Sequence, residues 1–264
     1  MNLKNVLTKV VSEQLPPNTK KVAMLLSGGV DSFTVASTLQ HLGVDFHAYT
    51  FRIDNVDTKD VLTAANTAKK FNWEWSTVEI SSSNLEQDFL ILANTWGCKK
   101  KTEFECTWPF IHLFPNIQES VMLTGTTADT LYGSSKKVAL HYSRPKEVFD
   151  QYRRESLSKF NIEGYRQLES LAKAYNKHII LPYRHPEVQE FFMGHSYDEL
   201  HKPTRKAVAK QAFSEEFSKV EKINSRNLQL AAGIPEIFER LLQSPLNVNK
   251  RRRVMDLCKD YAQQ

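Results

Sequence analysis

The chain is expected to fold as an α/β protein, a parallel doubly wound sheet with a mainly helical C-terminal part. Three observations carry that expectation. Strand and helix patterns alternate through the first half, the rhythm of β-α-β units with parallel strands. An apolar run, Val22-Ala23-Met24-Leu25-Leu26, passes through the turn Ser27-Gly28-Gly29-Val30-Asp31-Ser32 directly into a helical pattern. From about residue 147 helical patterns dominate, interrupted only by the short run His178-Ile179-Ile180-Leu181.

Each element has its own local reason. Leu3, Val6, Leu7, Val10, Val11 and Leu15 recur at helical spacing, so residues 1–20 are expected to hold a helix packed on the body. That stretch lacks the continuous apolar segment of a signal peptide. After the first strand, Phe33, Val35, Ala36, Leu39 and Leu42 line one side of a helix closed by Gly43. Phe46–Phe51 reads as a second buried strand. A helix over 57–71 follows, with Asp57 as N-cap and Val61, Leu62, Ala65, Ala68 and Phe71 as its stripe. Trp75–Ile80 is a third strand, 84–94 a helix, and Ser120–Thr124 a fourth strand that ends in a second glycine-bearing loop. These elements form an expected α/β core over 21–145. Within 146–264, Tyr165, Leu168, Leu171, Ala172 and Tyr175 form one helix face. Pro235 opens another helix with Ile237, Phe238, Leu241 and Leu242. No repeat or low-complexity linker separates the two parts, so the helical part is expected to pack on the core and complete the site.

Composition narrows the class. With 41% hydrophobic and 25% charged residues over 264 positions, the chain suits a soluble globular protein. Its apolar runs are far shorter than a membrane span, and no membrane partner is expected. Cys98, Cys106 and Cys258 are too few and too scattered for a disulfide framework, which suits a reducing cytoplasm. The eight histidines show no metal-ligand spacing. Trp73, Trp75, Trp96 and Trp108 read as core or pocket wall. Net charge is +5, with basic clusters at Lys99–Lys101, Lys136-Lys137 and Lys250–Arg253 that read either as solvated faces or as a polyanion surface.

The turn at 27–32 carries the chemistry. Two adjacent glycines let the backbone approach a ligand closely, and the amides of the first helical turn converge where the helix dipole favours negative charge. Ser27 and Ser32 add hydroxyls, while Asp31 needs a bridging Mg²⁺ beside phosphates. The chain contains no Gly-x-x-x-x-Gly-Lys-Ser/Thr, so the other common phosphate loop is excluded.

These six residues resemble the SGGxDS signature of the PP-loop ATP pyrophosphatases, whose fold is adenine nucleotide alpha hydrolase-like (HUP-type). That family cleaves ATP between the α- and β-phosphates and adenylylates an oxygen of its substrate. The resemblance implies ATP and Mg²⁺ as cofactors. It implies nucleotide contacts from Leu26, Ser27, Gly28, Gly29, Val30, Asp31, Ser32, Thr50, Phe51 and Gly125. Adenine is expected at the end of the second strand, against the backbone of Tyr49, Thr50, Phe51 and Arg52.

Four further stretches resemble the synthetase domain of asparagine synthetase, over about residues 21–218. Thr124-Gly-Thr-Thr-Ala-Asp-Thr-Leu-Tyr-Gly-Ser134 is similar to SGEGADELFGGY, which makes Asp129 a metal ligand with Asp31. Thr126 and Thr130 stand where that family has acidic residues, and Tyr132 where it has phenylalanine. Leu181-Pro-Tyr-Arg-His-Pro-Glu-Val188 resembles VPFLDHRLV. His201-Lys-Pro-Thr-Arg-Lys-Ala207 resembles the KxxLRxA helix start, whose lysine stabilises charge on the transferring phosphorus. The spacing is one residue short, so Lys202 is the first choice and Lys206 or Arg205 the second. Lys101–Thr107 lies where the family has the glutamate that deprotonates the incoming amine. Glu105 or Glu103 takes that role, with only one facing the site if the segment is extended.

The resemblance implies an AMP-forming amide ligase acting on a small-molecule carboxylate and ammonia or another amine. The asparagine synthetases that use glutamine begin with a glutaminase domain. This sequence starts Met1-Asn2-Leu3-Lys4, so free ammonia, another amine or a separate glutaminase partner is expected to supply nitrogen. Three alternatives stay open: a tRNA- or nucleobase-modifying enzyme of lysidine-synthase or thiolating type, an NAD synthetase, and a non-catalytic nucleotide-binding subunit. A nucleic-acid partner belongs to the first of these, and Cys98 and Cys106 would carry sulfur only in its thiolating form.

Overall fold

Val22–Leu25 (β1) is apolar at every position because both of its faces are covered, as a central parallel strand requires. The computed structural model describes residues 2–158, 164–221, 223, 232–241 and 256. Four more strands join β1: Phe46–Ile53 (β2), Glu74–Ile80 (β3), Val121–Thr124 (β4) and His178–Ile180 (β5). All neighbours pair in parallel, in the order β3-β2-β1-β4-β5. The chain winds outward from β1 through β2 to β3, then crosses back to β4 on the other side. The strand order therefore reverses between β1 and β4, and ligands of such sheets bind outside the strands' carboxyl ends at that point.

Alternation along the strands sorts the core into two layers. Val22, Met24, Phe46, Ala48, Val121, Leu123 and Ile180 face one layer. It holds the helices Leu3–Gln14 (α1), Val30–His41 (α2) and Lys59–Phe71 (α3). Ala23, Leu25, Tyr49, Val78 and Met122 face the other. After Leu85–Asn94 (α4), that layer is built by Lys101–Asn116 (α5) and, further on, Tyr165–Ala174 (α9). Between β4 and α9 come Ala128–Leu131 (α6), Lys136–Ala139 (α7) and Lys146–Ser156 (α8). After β5 come Pro186–Met193 (α10), Tyr197–His201 (α11), Ala207–Ala212 (α12) and Ser214–Ser218 (α13). A last helix, Ile234–Leu241 (α14), buries Ile234 and Phe238 beside Phe89, Phe104 and Trp108 at the β3 edge. Among the described residues no helix is long and apolar enough to cross a membrane.

The N-terminal helix matches its sequence pattern, with Leu3, Val6, Leu7, Val10 and Val11 buried. Three expectations are corrected. The helix expected over 57–71 starts at Lys59, capped by Thr58, whose hydroxyl accepts the Val61 amide at 3.4 Å. Asp57 is held instead by the Arg52 guanidinium at 3.1 Å, and Leu62 lies outside the buried stripe of Val61, Ala64 and Ala68. Residues 101–107 are helical rather than extended, because they open α5. The run 178–181 supplies a fifth strand, so the C-terminal part contributes to the sheet as well as to the helices. Cys98 and Trp108 are buried in the aromatic cluster at the β3 edge. Leu242, the cluster Lys250–Arg253, Cys258 and the side chains of Lys136, Lys137 and Leu241 lie outside the described residues.

Candidate active site

Two loops meet at the switch point. The first leaves β1 at Leu26, whose amide donates to the Tyr49 carbonyl at 2.9 Å and whose carbonyl accepts the Thr50 hydroxyl at 2.7 Å. Ser27 and Ser32 lock it into a small ring. The Ser27 amide donates to Ser32 Oγ at 3.1 Å, the two hydroxyls lie 3.0 Å apart, and Ser32 Oγ donates to the Gly29 carbonyl at 3.1 Å. Gly28 has φ +73°, and a Cβ there would fall 2.2 Å from the Asp60 carbonyl oxygen at the start of α3. Only glycine fits that conformation and that space. Gly29 is the N-cap of α2 and Val30 anchors its first turn in the core, which brings the free amides of α2 to the carboxyl end of β1.

The second loop leaves β4 at Thr124. At Gly125 a Cβ would lie 2.7 Å from both the Asp31 carbonyl carbon and the Ser32 nitrogen, so this glycine lets the two loops touch. The Thr124 and Thr126 hydroxyls are 2.8 Å apart. Thr127 has φ +78°, an uncommon conformation for a β-branched residue, and it starts the turn that presents Asp129. Thr127 stands where the SGEGADELFGGY pattern has glycine.

Lys206 joins the loops from far along the chain. Its Nζ donates to Asp31 Oδ2 at 2.6 Å and lies 2.8 Å from Asp129 Oδ1. The lysine side chain is 1% exposed and sits 5.0 Å from the centre of the Tyr132 ring, a cation–π contact. Burial pushes the Asp31 carboxyl up to about 6, and nearby Asp129 adds to this while Lys206 pulls it back. Burial alone would lower Lys206, but the carboxylates of Asp31 and Asp129 outweigh it and hold the lysine above its ordinary value. Two acids thus share one cation, which leaves the group a net negative charge and one acid that protonates readily.

A divalent cation fits here. Asp31 Oδ1 is buried without a hydrogen-bond partner, and Asp129 stands across the same ammonium. Among the described residues no group of three or more acidic, histidine or cysteine side chains could enclose a metal. The donor set suits Mg²⁺, which binds through one or two carboxylates together with phosphate oxygens.

The other expected site residues separate. Lys202, the first choice for the catalytic lysine, is 72% exposed and pairs with Asp198 at 2.7 Å. The connection between α11 and α12 turns Lys206 inward in its place. Arg205 is exposed beside it, near enough for its charge to act on Asp31. Glu103 caps α5, accepting the Lys99 and Lys100 amides at 2.7 and 3.1 Å. Glu105 is buried in the same helix and lies 3.2 Å from Lys101 Nζ, outside the Asp31–Lys206–Asp129 cluster. Thr50 is buried and accepts from Trp75 Nε1 at 3.0 Å, whereas Phe51 is half-buried past the end of β1.

Sequence reasoning gave no role to the groups behind the cluster. Thr34 donates to the Asp31 carbonyl at 2.8 Å and bonds the Tyr183 hydroxyl at 2.7 Å. Burial raises both Tyr132 and Tyr183, so these phenols stay neutral. His201 lies 2.8 Å from the Tyr132 carbonyl through Nε2 and accepts the Lys206 amide through Nδ1 at 3.2 Å. Tyr183 and His201 fall within stretches 181–188 and 201–207, so the signal was present without the contacts that explain it.

A parallel sheet with a glycine–serine loop at its switch point, facing two aspartates and a lysine, defines a nucleotide-binding α/β protein. The family model for asparagine synthase matches residues 2–234, and the chain belongs to that family of PP-loop ATP pyrophosphatases. The chain is 36% identical over 66 residues to a 7-cyano-7-deazaguanine synthase from Pseudoalteromonas translucida (strain TAC 125). That match spans 25% of this chain and 30% of the curated relative's length. A solved structure described as a "predicted subunit of tRNA methyltransferase" from Methanocaldococcus jannaschii aligns with a TM-score of 0.40 at 15% identity. It covers 78% of this chain and 100% of its own, a likeness too loose to bear on chemistry.

Proposed function

We propose that this protein is an AMP-forming ligase that adenylylates a substrate carboxylate and passes the acyl group to ammonia or another amine. The observation that carries the reading is Lys206 Nζ held between Asp31 and Asp129 where the two loops meet. ATP is expected to lay its pyrophosphate along the amides of Ser27–Ser32 and the start of α2. Adenine then reaches the part of β2 that runs past β1. The Tyr49 carbonyl accepts from Leu26, so the next backbone groups pointing the same way belong to Phe51.

Bound between Asp31, Asp129 and the phosphates, Mg²⁺ would neutralise charge that accumulates on the leaving pyrophosphate. The rest falls to the chain. Lys206 is cationic and dry, and shifts from the carboxylates toward phosphate oxygens as negative charge develops there. A carboxylate oxygen of the substrate bonds to the α-phosphorus while the α–β phosphoanhydride bond breaks, giving an acyl-adenylate and pyrophosphate. The amine then bonds to the acyl carbon, the C–O bond to AMP breaks, and a base takes the amine proton. Glu105 is the candidate base, because Glu103 is committed to the α5 cap.

The local match to a 7-cyano-7-deazaguanine synthase favours a second reading, in which the substrate is a modified nucleobase and ATP is used in the same way. Product analysis with α-labelled ATP, Mg²⁺, ammonium and a pool of carboxylates tests both. AMP and pyrophosphate formed by the native chain and lost in Asp31→Ala are expected, and omitting acids one at a time identifies the substrate. ADP and phosphate would overturn the pyrophosphatase reading.

A further inference from the structure

The imidazole of His201 is engaged on both nitrogens by two segments that sequence reasoning treated separately. Nδ1 accepts the backbone N–H of Lys206 at 3.2 Å. An amide can only donate there, so Nδ1 carries no proton. Nε2 faces the Tyr132 carbonyl at 2.8 Å, and a carbonyl can only accept, so Nε2 carries the proton. The two contacts select one neutral tautomer. The ring is also packed against Tyr197, with centroids 4.5 Å apart, and burial holds His201 below its ordinary range despite the Tyr132 carbonyl.

Both partners bear on the lysine. Lys206 occupies the left-handed region, with φ 58° and ψ 41°, at the N-cap of α12. A non-glycine residue rests there only when its surroundings hold it. Tyr132 is the residue whose ring lies 5.0 Å from Lys206 Nζ, and its carbonyl is the group His201 grips. One imidazole therefore contacts both the peptide from which the lysine side chain departs and the loop against which it rests.

We infer that His201 is a positioning residue that aims Lys206 at Asp31 and Asp129 by accepting its backbone amide, with the Tyr132 carbonyl selecting the tautomer that can accept it. The role of Lys206 in turnover rests on the proposed function, whereas its placement by His201 does not. The test separates the two hydrogen bonds. In His201→Asn the amide oxygen replaces Nδ1 and the acceptor for Lys206 is kept. In His201→Gln the amide nitrogen replaces Nε2, so the donor to Tyr132 is kept and the acceptor is lost. With melting temperatures near the native value, His201→Asn is expected to retain AMP formation within about threefold. His201→Gln is expected to lose about a hundredfold in kcat with little change in KM for ATP, the scale of a 1 Å misplacement.

Acetylation of Lys206, followed by mass spectrometry, reads its placement without turnover. The His201→Gln rate is expected to rise at least about tenfold, and the His201→Asn rate to stay near native. Equal Lys206 labelling in native protein and both folded variants overturns the inference. Absence of AMP from the native protein, with the labelling contrast intact, would sink the proposed function alone. If neither variant folds, ¹⁵N shifts of His201 in the native protein decide: the Nε2–H tautomer supports the inference, and Nδ1–H or the imidazolium at neutral pH overturns it.

Discussion

Replacing Lys206 with methionine removes the cation and keeps most of the side-chain volume. Asp31 Oδ2 and Asp129 Oδ1 lie 2.6 and 2.8 Å from the same nitrogen, so they are at most the sum of those contacts, 5.4 Å, apart. At an effective dielectric of about 20, two full charges at that separation repel by about 3 kcal/mol. Breaking a buried pair by deleting one partner costs about 3–5 kcal/mol, in line with that figure. The sign of the pH dependence follows from the acids left behind. Without the lysine the Asp31 carboxyl rises further above its unfolded value, so the variant is penalised above that value and relieved as pH falls through it. Urea unfolding of both proteins at about pH 8 and about pH 5 is expected to show the larger stability gap at the higher pH. Millimolar Mg²⁺ is expected to recover part of the loss at the higher pH, by binding the two acids. A gap equal at both pH values, and unmoved by Mg²⁺, would refute the shared-cation account.

Four further outcomes are expected. Asp31 is pushed up to about 6 in the fold, so native stability gains as pH falls from about 6 to about 4, because the folded state binds a proton the unfolded chain does not. Asp31→Asn should lack that gain in pH-dependent thermal melts and form no AMP. Gly28→Ala brings a Cβ to 2.2 Å from the Asp60 carbonyl at positive φ, so calorimetry should show ATP affinity lower by at least about tenfold. Thr127→Gly relieves the left-handed strain at φ +78° and should raise stability by about 1 kcal/mol in urea titrations. Lys202→Ala removes an exposed pair with Asp198 and should change neither AMP formation nor stability by more than about 0.5 kcal/mol.

Much of the fold was legible because its signals are local. The strand, glycine turn and helix at 22–42 are written in adjacent residues, and so is the stripe that buries α1. Errors arose where neighbouring residues compete for one task. Thr58 displaced Asp57 as the cap of α3 because Arg52, on β2, engages the aspartate. An extended segment would turn only one of residues 103 and 105 toward the site, but the capping box of Glu103 starts a helix there despite Pro109 and Pro115 further in.

The sequence by itself determined the chemical inventory at the switch point: a glycine–serine loop with Asp31, and a second loop with Asp129. Each is contiguous, and its backbone demands select its residues. Which lysine completes the cluster was decided by tertiary structure. Lys202 and Lys206 belong to the same short basic segment, yet one is 72% exposed and the other 1%. The contact from Lys206 to Asp31 spans 175 residues, and that from His201 to Tyr132 spans 69. Such pairings follow from how α11 and α12 dock on the two loops. An ammonium buried there is tolerable only because two carboxylates, from the first turns of α2 and α6, already face it.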